Sequence, residues 1–140
     1  MTEEIAKLFQ QGGGEFISPP SLFADKLKGI RAIIFDWDGV FNDGFKQGQE
    51  GSPFSEVDAM GTNLLRFALW NRDSQQPAVA IITGEVNLAA QTLGTREHFH
   101  QVYSLAKDKK RSFEKFCKAH QVRPDPITSP SGSQKQVGDA

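Results

Sequence analysis

With only one cysteine, Cys117, the chain cannot close an internal disulfide, which excludes a stapled secreted scaffold and points to a reducing compartment. No apolar run approaches the ~20 residues that a membrane-spanning helix needs, so no such helix is expected. The N-terminus has little positive charge, with Glu3 and Glu4 standing in place of the basic residues of a signal peptide; a cytoplasmic location is the expectation. Neither sign of charge is in excess. With 16 Lys and Arg against 17 Asp and Glu, the formal net charge of -1 provides no surface-wide field for nucleic acid or an anionic membrane, so any anion specificity must be local. No internal repeat is present. What remains is 38% hydrophobic and 24% charged, with 11 phenylalanines, and 140 residues suffice for one domain with a real core.

The division expected is an N-terminal arm over residues 1–28, an α/β domain over 29–122 and a disordered Pro/Ser-rich tail over 123–140. Ile5, Leu8 and Phe9 fall at helical spacing in the arm, before Gly12-Gly13-Gly14 and Pro19-Pro20 break the pattern, and a brief helical turn around Leu22–Leu27 follows. Ile30–Phe35 reads as a strand buried on both faces. Asp43–Ser55 is Gly-rich and polar, an irregular loop or short hairpin that carries no core. Gly61–Trp70 predicts a helix with a broad apolar face over Leu64, Leu65, Phe67, Ala68 and Leu69. Ala78–Ile82 is a second buried strand, and a helix around Val86–Leu93 stops at Gly94. A weaker strand lies near His100–Tyr103, and a helix over Lys110–His120 places Phe113, Phe116, Cys117 and His120 on one face. Such alternation implies a Rossmann-like parallel sheet with helices on both faces.

Chemistry concentrates at strand ends. Side chains two apart on a strand share a face, so Asp36 and Asp38 would converge at the end of the first strand while Trp37 points away. Two converging carboxylates favour a shared proton or a hard cation, and Mg²⁺ suits such oxygen donors. Thr83 sits at the corresponding end of the next strand, where ligands of open α/β sheets bind. Lys109 stands at the start of the last helix, where its ammonium and the unpaired N–H groups attract an anion, with Lys110 as the next candidate. Taken singly each has a plainer explanation: a solvated turn for Asp-x-Asp, a helix N-terminus for Thr83, a solvated charge run for Lys107–Arg111. A calcium loop is disfavoured because Val40 occupies a ligand position. His98, His100 and His120 lack zinc spacing with Cys117, which is most simply a core residue.

Together, the run Ile33-Ile34-Phe35-Asp36-Trp37-Asp38-Gly39-Val40, the following Asp43-Gly44, Phe54-x-x-x-Asp58-x-x-Gly61, Ile81-Ile82-Thr83-Gly84-Glu85 and Lys109 resemble the ordered motifs of the haloacid dehalogenase (HAD) superfamily. The resemblance runs from about Ile30 to Val122 and is greatest to the cap-less branch that contains 3-deoxy-D-manno-octulosonate 8-phosphate phosphatase. It implies Asp36 as nucleophile, Asp38 as general acid/base, and Thr83, Gly84 and Lys109 as phosphate-holding residues. It further implies Mg²⁺ on Asp36 and Asp38, a small phosphorylated sugar acid as substrate, and a homo-oligomer. Glu85, where octulosonate enzymes usually carry Arg, leans toward nine-carbon sugar acids. Two departures qualify the resemblance: the segment between Gly44 and Phe54 is shorter than the family's oligomer-building hairpin, and no Gly-Asp-Asp strand follows Val122. Asp139 is the one acid left as a counterpart. The expected α/β domain is thus truncated at its C-terminal end, and its first strand is left as a sheet edge, so that another chain or a segment such as Glu15–Ser18 would cover it or the chain would be poorly stable; the alternative function is that of a catalytically impaired relative with a structural or interaction role.

Overall fold

The computed structural model describes residues 3–123. Tail residues 124–140, including Asp139, lie outside the described residues. The chain divides between Ile30 and Arg31 into two compact units. The first carries helix α1 (Glu3–Gln11) and helix α2 (Pro20–Leu27). α2 is a full eight-residue helix, longer than the turn expected at Leu22–Leu27, because Pro20 supplies a preset φ at a position whose N–H needs no helical partner.

The second unit is an α/β layer. Its elements are β1 (Ala32–Phe35), a 3₁₀ turn (Gly48–Glu50), α3 (Glu56–Asp73), β2 (Ala78–Ile82), α4 (Leu88–Arg96), β3 (Gln101–Tyr103) and α5 (Lys109–Ala119). The strands form one parallel sheet in the order β1-β2-β3, with Phe35 level with Ile81 and Ile82 level with Tyr103. The faces of β2 alternate between two cores. Val79 and Ile81 pack with Phe35, Trp37, Phe41, Ala59 of α3, and Ala90 and Leu93 of α4, while Ala78 and Ala80 face Phe116 of α5. Helices therefore cover both sides of the sheet, as α/β alternation requires.

Four expectations need correction. β1 is shorter than Ile30–Phe35, and its Ala32, Ile33 and Ile34 are only half-buried. Burial on both faces belongs to β2, which has a strand on each side; among the described residues β1 pairs with β2 alone. The Asp43–Ser55 loop does contribute to the interior, since Ser52 is fully buried, and Phe54, just before α3, packs on the core. α3 begins five residues before Gly61, where Ser55 accepts a hydrogen bond from the Val57 N–H, and ends at Ser74 in a left-handed conformation. Its expected apolar face is split: Leu69 is buried, whereas Leu64 and Phe67 are exposed. α4 continues through Gly94 to Arg96. A Cβ at Gly94 would lie 2.4 Å from Val102 Cγ2, so this glycine permits close helix–strand packing and does not stop the helix. Cys117 is buried, and its thiol is pushed above the usual range by desolvation.

Candidate active site at the carboxyl ends of the strands

β1 stops at Phe35, and the chain turns at once, with the Val40 and Phe41 N–H groups both donating to the Trp37 carbonyl at 3.2 Å. Asp36 and Asp38 are therefore presented by a turn beyond the strand, not by strand alternation as expected. Trp37 does point away from them: it is fully buried, stacked on Phe41 at 5.1 Å between ring centroids. The driving force is the indole's apolar area, which seats the turn on the core and leaves the flanking carboxylates outside. Asp36 Oδ1 accepts from the Trp37 N–H at 2.8 Å. Its other oxygen, Oδ2, accepts from Lys109 Nζ at 2.6 Å, so two residues 73 apart in sequence meet at the sheet's carboxyl end.

Lys109 is the first residue of α5, whose N-cap, Asp108, accepts from the Arg111 N–H. It is Lys109 that reaches Asp36; Lys110 lies exposed on the same turn. The pair is open to solvent, with the lysine side chain 50% and the aspartate 37% exposed, so a ligand can approach both. Thr83 follows β2 at the same end of the sheet and is buried. Its N–H donates to the Tyr103 carbonyl and its carbonyl accepts from the Ala106 N–H, which locks the start of the Thr83-Gly84-Glu85 turn; Gly84 is half-buried.

Asp38 has a different partner. Ser52 Oγ donates to Asp38 Oδ1 at 2.7 Å. Sequence reasoning missed Ser52, an ordinary serine in a polar loop; the one local signal is Gly51 before it. Gly51 has φ +83°, and a Cβ there would lie 2.7 Å from the Asn87 side chain. Asn87, the N-cap of α4, is buried beside this loop. One amide orientation accepts from the Ala90 N–H at 3.4 Å; the other accepts from Trp37 Nε1 at 2.7 Å and the Ser52 N–H at 3.3 Å, and the shorter contacts favour the second. Ser52 O also accepts from Trp37 Nε1, at 3.0 Å.

Two charges close the rim. Lys46 Nζ pairs with Glu85 Oε2, joining the loop after β1 to the turn after β2. Lys46 is held above the ordinary lysine range by its hydrogen bond to Glu85, with the charges of Glu85 and Asp38 adding to the effect. The remaining candidates serve local structure: Asp43 Oδ1 accepts from the Phe45 N–H, and Asp58 lies exposed in the acidic first turn of α3. Among the described residues, no group of three or more His, Cys, Asp or Glu side chains is placed to hold a metal ion. The Asp36 carboxylate and the Asp38 main-chain carbonyl, both oxygen donors, still fit Mg²⁺, which characteristically takes only one or two carboxylates from protein and completes its shell with water and substrate phosphate.

No protein-family model and no curated protein matches the chain. Solved structures do. A Vibrio cholerae protein assigned as a 3-deoxy-D-manno-octulosonate 8-phosphate phosphatase is 28% identical, with a TM-score of 0.61 over 75% of this chain and 56% of its own. A hypothetical protein from Xanthomonas campestris is 27% identical, with a TM-score of 0.62 over 76% of this chain and 56% of its own. A Legionella pneumophila protein assigned to subfamily III A of the HAD hydrolases is 27% identical, with a TM-score of 0.57 over 71% of this chain and 53% of its own. The chain thus spans just over half the length of each of these structures.

Proposed function

We propose that this chain, which belongs to the haloacid dehalogenase superfamily, is a Mg²⁺-dependent phosphomonoesterase of small sugar-acid phosphates. The observation that carries the reading is the contact of Lys109 Nζ with Asp36 Oδ2 at the carboxyl end of a parallel sheet. A nucleophilic carboxylate and a phosphate-binding cation converge there.

In the reaction, Asp36 Oδ attacks phosphorus and the bond to the sugar oxygen breaks, leaving an aspartyl-phosphate. Asp38 gives its proton to the departing oxygen. It then takes a proton from the water that attacks the aspartyl-phosphate, and cleavage of the phosphorus–Asp36 bond releases inorganic phosphate. Lys109 uses one ammonium proton on Asp36 and has two more for phosphoryl oxygens. Thr83 and Gly84, which follow β2 at the same end of the sheet, would complete the anion site. Mg²⁺ held by the Asp36 carboxylate and the Asp38 carbonyl would offset charge between nucleophile and phosphate. Glu85 follows the Thr83-Gly84 turn and pairs with Lys46; the leaning toward nine-carbon sugar acids rests on the resemblance, in which octulosonate enzymes usually carry Arg at this position.

The working form is a homo-oligomer in the cytoplasm. Among the described residues, the exposed Val57, Met60, Leu64, Phe67 and Trp70 on α3 and the pairing of β1 with β2 alone support association, and no helix is long and apolar enough to cross a membrane. Sedimentation equilibrium should give a multiple of the chain mass; a monomer contradicts this part.

A second reading, that of a catalytically impaired relative with a structural or interaction role, is favoured by the absence of a third acid at the site among the described residues. The two separate in one assay: phosphate release from a panel of sugar and sugar-acid phosphates, with and without Mg²⁺, against Asp36→Asn. Mg²⁺-dependent release abolished by Asp36→Asn supports the enzyme; release no greater than the variant's eliminates it.

A further inference from the structure

We infer that Ser52 is a positioning residue for Asp38, fixing which carboxylate oxygen exchanges the proton with the leaving group. The inference rests on the phosphatase reading and extends it to a residue outside the motifs. Ser52 is fully buried, yet it belongs to a polar loop that has no apolar reason to enter the core. Its backbone holds it there: the carbonyl accepts from Trp37 Nε1, and the N–H donates to the Asn87 amide. Gly51 makes the approach possible, because any side chain there would collide with Asn87.

With both backbone groups engaged, the hydroxyl is left to donate to Asp38 Oδ1, and the 2.7 Å separation is that of a strong hydrogen bond to a carboxylate. The contact orients the carboxyl group and leaves Oδ2, which has no hydrogen-bond partner among the described residues, as the oxygen that faces the leaving group. The hydrogen bond survives both halves of the reaction, since a carboxyl group protonated on Oδ2 still accepts at Oδ1. Asp38 can thus give and regain its proton without turning. The anchor runs through Trp37, the residue between the two catalytic carboxylates, so the depth of the indole in the core sets the position of Asp38 by way of Ser52.

Ser52→Ala removes the hydroxyl and leaves the two backbone contacts in place. The test compares kcat/KM of wild type and Ser52→Ala on an alkyl phosphate, whose leaving oxygen needs a proton, and on p-nitrophenyl phosphate, whose leaving group does not; kcat/KM reports the steps through departure of the leaving group and not the later hydrolysis of the aspartyl-phosphate, which the two esters share. The expected result is a loss on the order of 10–100-fold in kcat/KM for the alkyl ester, part of what a general acid contributes, with little change in kcat/KM for the aryl ester. Because both esters are measured on one preparation, the ratio is insensitive to the fraction folded. An unchanged ratio, whether both rates hold or both fall together, overturns the assignment of Ser52 and leaves the phosphatase reading standing. If wild type hydrolyses neither ester, both fall.

Discussion

Replacing Lys109 by Met should separate activity from stability more sharply than any other single change at the site. At 2.6 Å, the Lys109–Asp36 attraction amounts to about 1.6 kcal/mol in bulk water and about 6 kcal/mol at an effective dielectric of ~20. Both side chains are substantially solvated, however, and rehydration on breaking such pairs reduces the net contribution to about 0.2–1 kcal/mol. The urea midpoint should therefore move little. In the transition state the ammonium faces transferring phosphoryl oxygens, and loss of a preorganised charge of this kind costs about 10²–10³ in kcat. Lys110→Met, one residue along the same helical turn, is the control and should leave kcat within about threefold, because Lys110 makes no contact with Asp36. Steady-state phosphate release and urea titration on both variants provide the readouts. Comparable kcat losses in the two variants would refute the assignment of the cation, and so would an active Lys109→Met protein.

Other outcomes concern the frame that holds the site. Gly51→Ala should destabilise by about 1–3 kcal/mol, through a strained backbone and the 2.7 Å approach to Asn87, and a urea midpoint equal to wild type contradicts that packing. Gly94→Ala gains about 1 kcal/mol of helix propensity but must displace the stiff Val102 side chain; it should destabilise alone and be rescued by Val102→Ala, whereas additivity of the two changes contradicts the contact. Phe116→Ala should cost about 3–5 kcal/mol in chemical denaturation, because the ring is fully buried beneath the sheet; a loss below about 1 kcal/mol contradicts its place in the core. His100 is held below the usual histidine range by desolvation, then by the charges of His120 and Arg66, and its Nδ1 accepts from the Val79 N–H. A depressed folded pKa contributes stability above 6.5, the unfolded value, that is lost as pH falls through the folded value. Thermal melts should show this loss below pH 6.5 in wild type and a flatter profile in His100→Asn; identical profiles contradict it.

The elements legible in the sequence were those whose signal is local. Ala78–Ile82 is a run of five apolar residues, all buried, and its strand was readable from that alone. β1 looked equally apolar, yet its burial depends on what lies beside it, and a neighbour across a sheet is not encoded in the strand itself. Gly94 carried the usual mark of a helix end, but it serves a contact with Val102, eight residues on, which only the tertiary structure reveals. Leu64 and Phe67 have helical spacing and still face outward, because periodicity identifies a face without saying what covers it. Asp36, Thr83 and Lys109 stand out in the sequence at two strand ends and a helix start, and the structure places all three at the carboxyl end of the sheet. Ser52 does not stand out: its contact with Asp38 depends on burial beside Gly51, Trp37 and Asn87, three positions scattered along the chain.

The central claim is that Asp36 carries the phosphoryl group, and chemical trapping tests it directly. Protein quenched during turnover of a sugar-acid phosphate and reduced with borohydride converts an aspartyl-phosphate to homoserine, which peptide mass spectrometry can place. The account predicts homoserine at position 36 in wild type and none in Asp36→Asn. Phosphate release with an unmodified Asp36, or homoserine at another position, would contradict it.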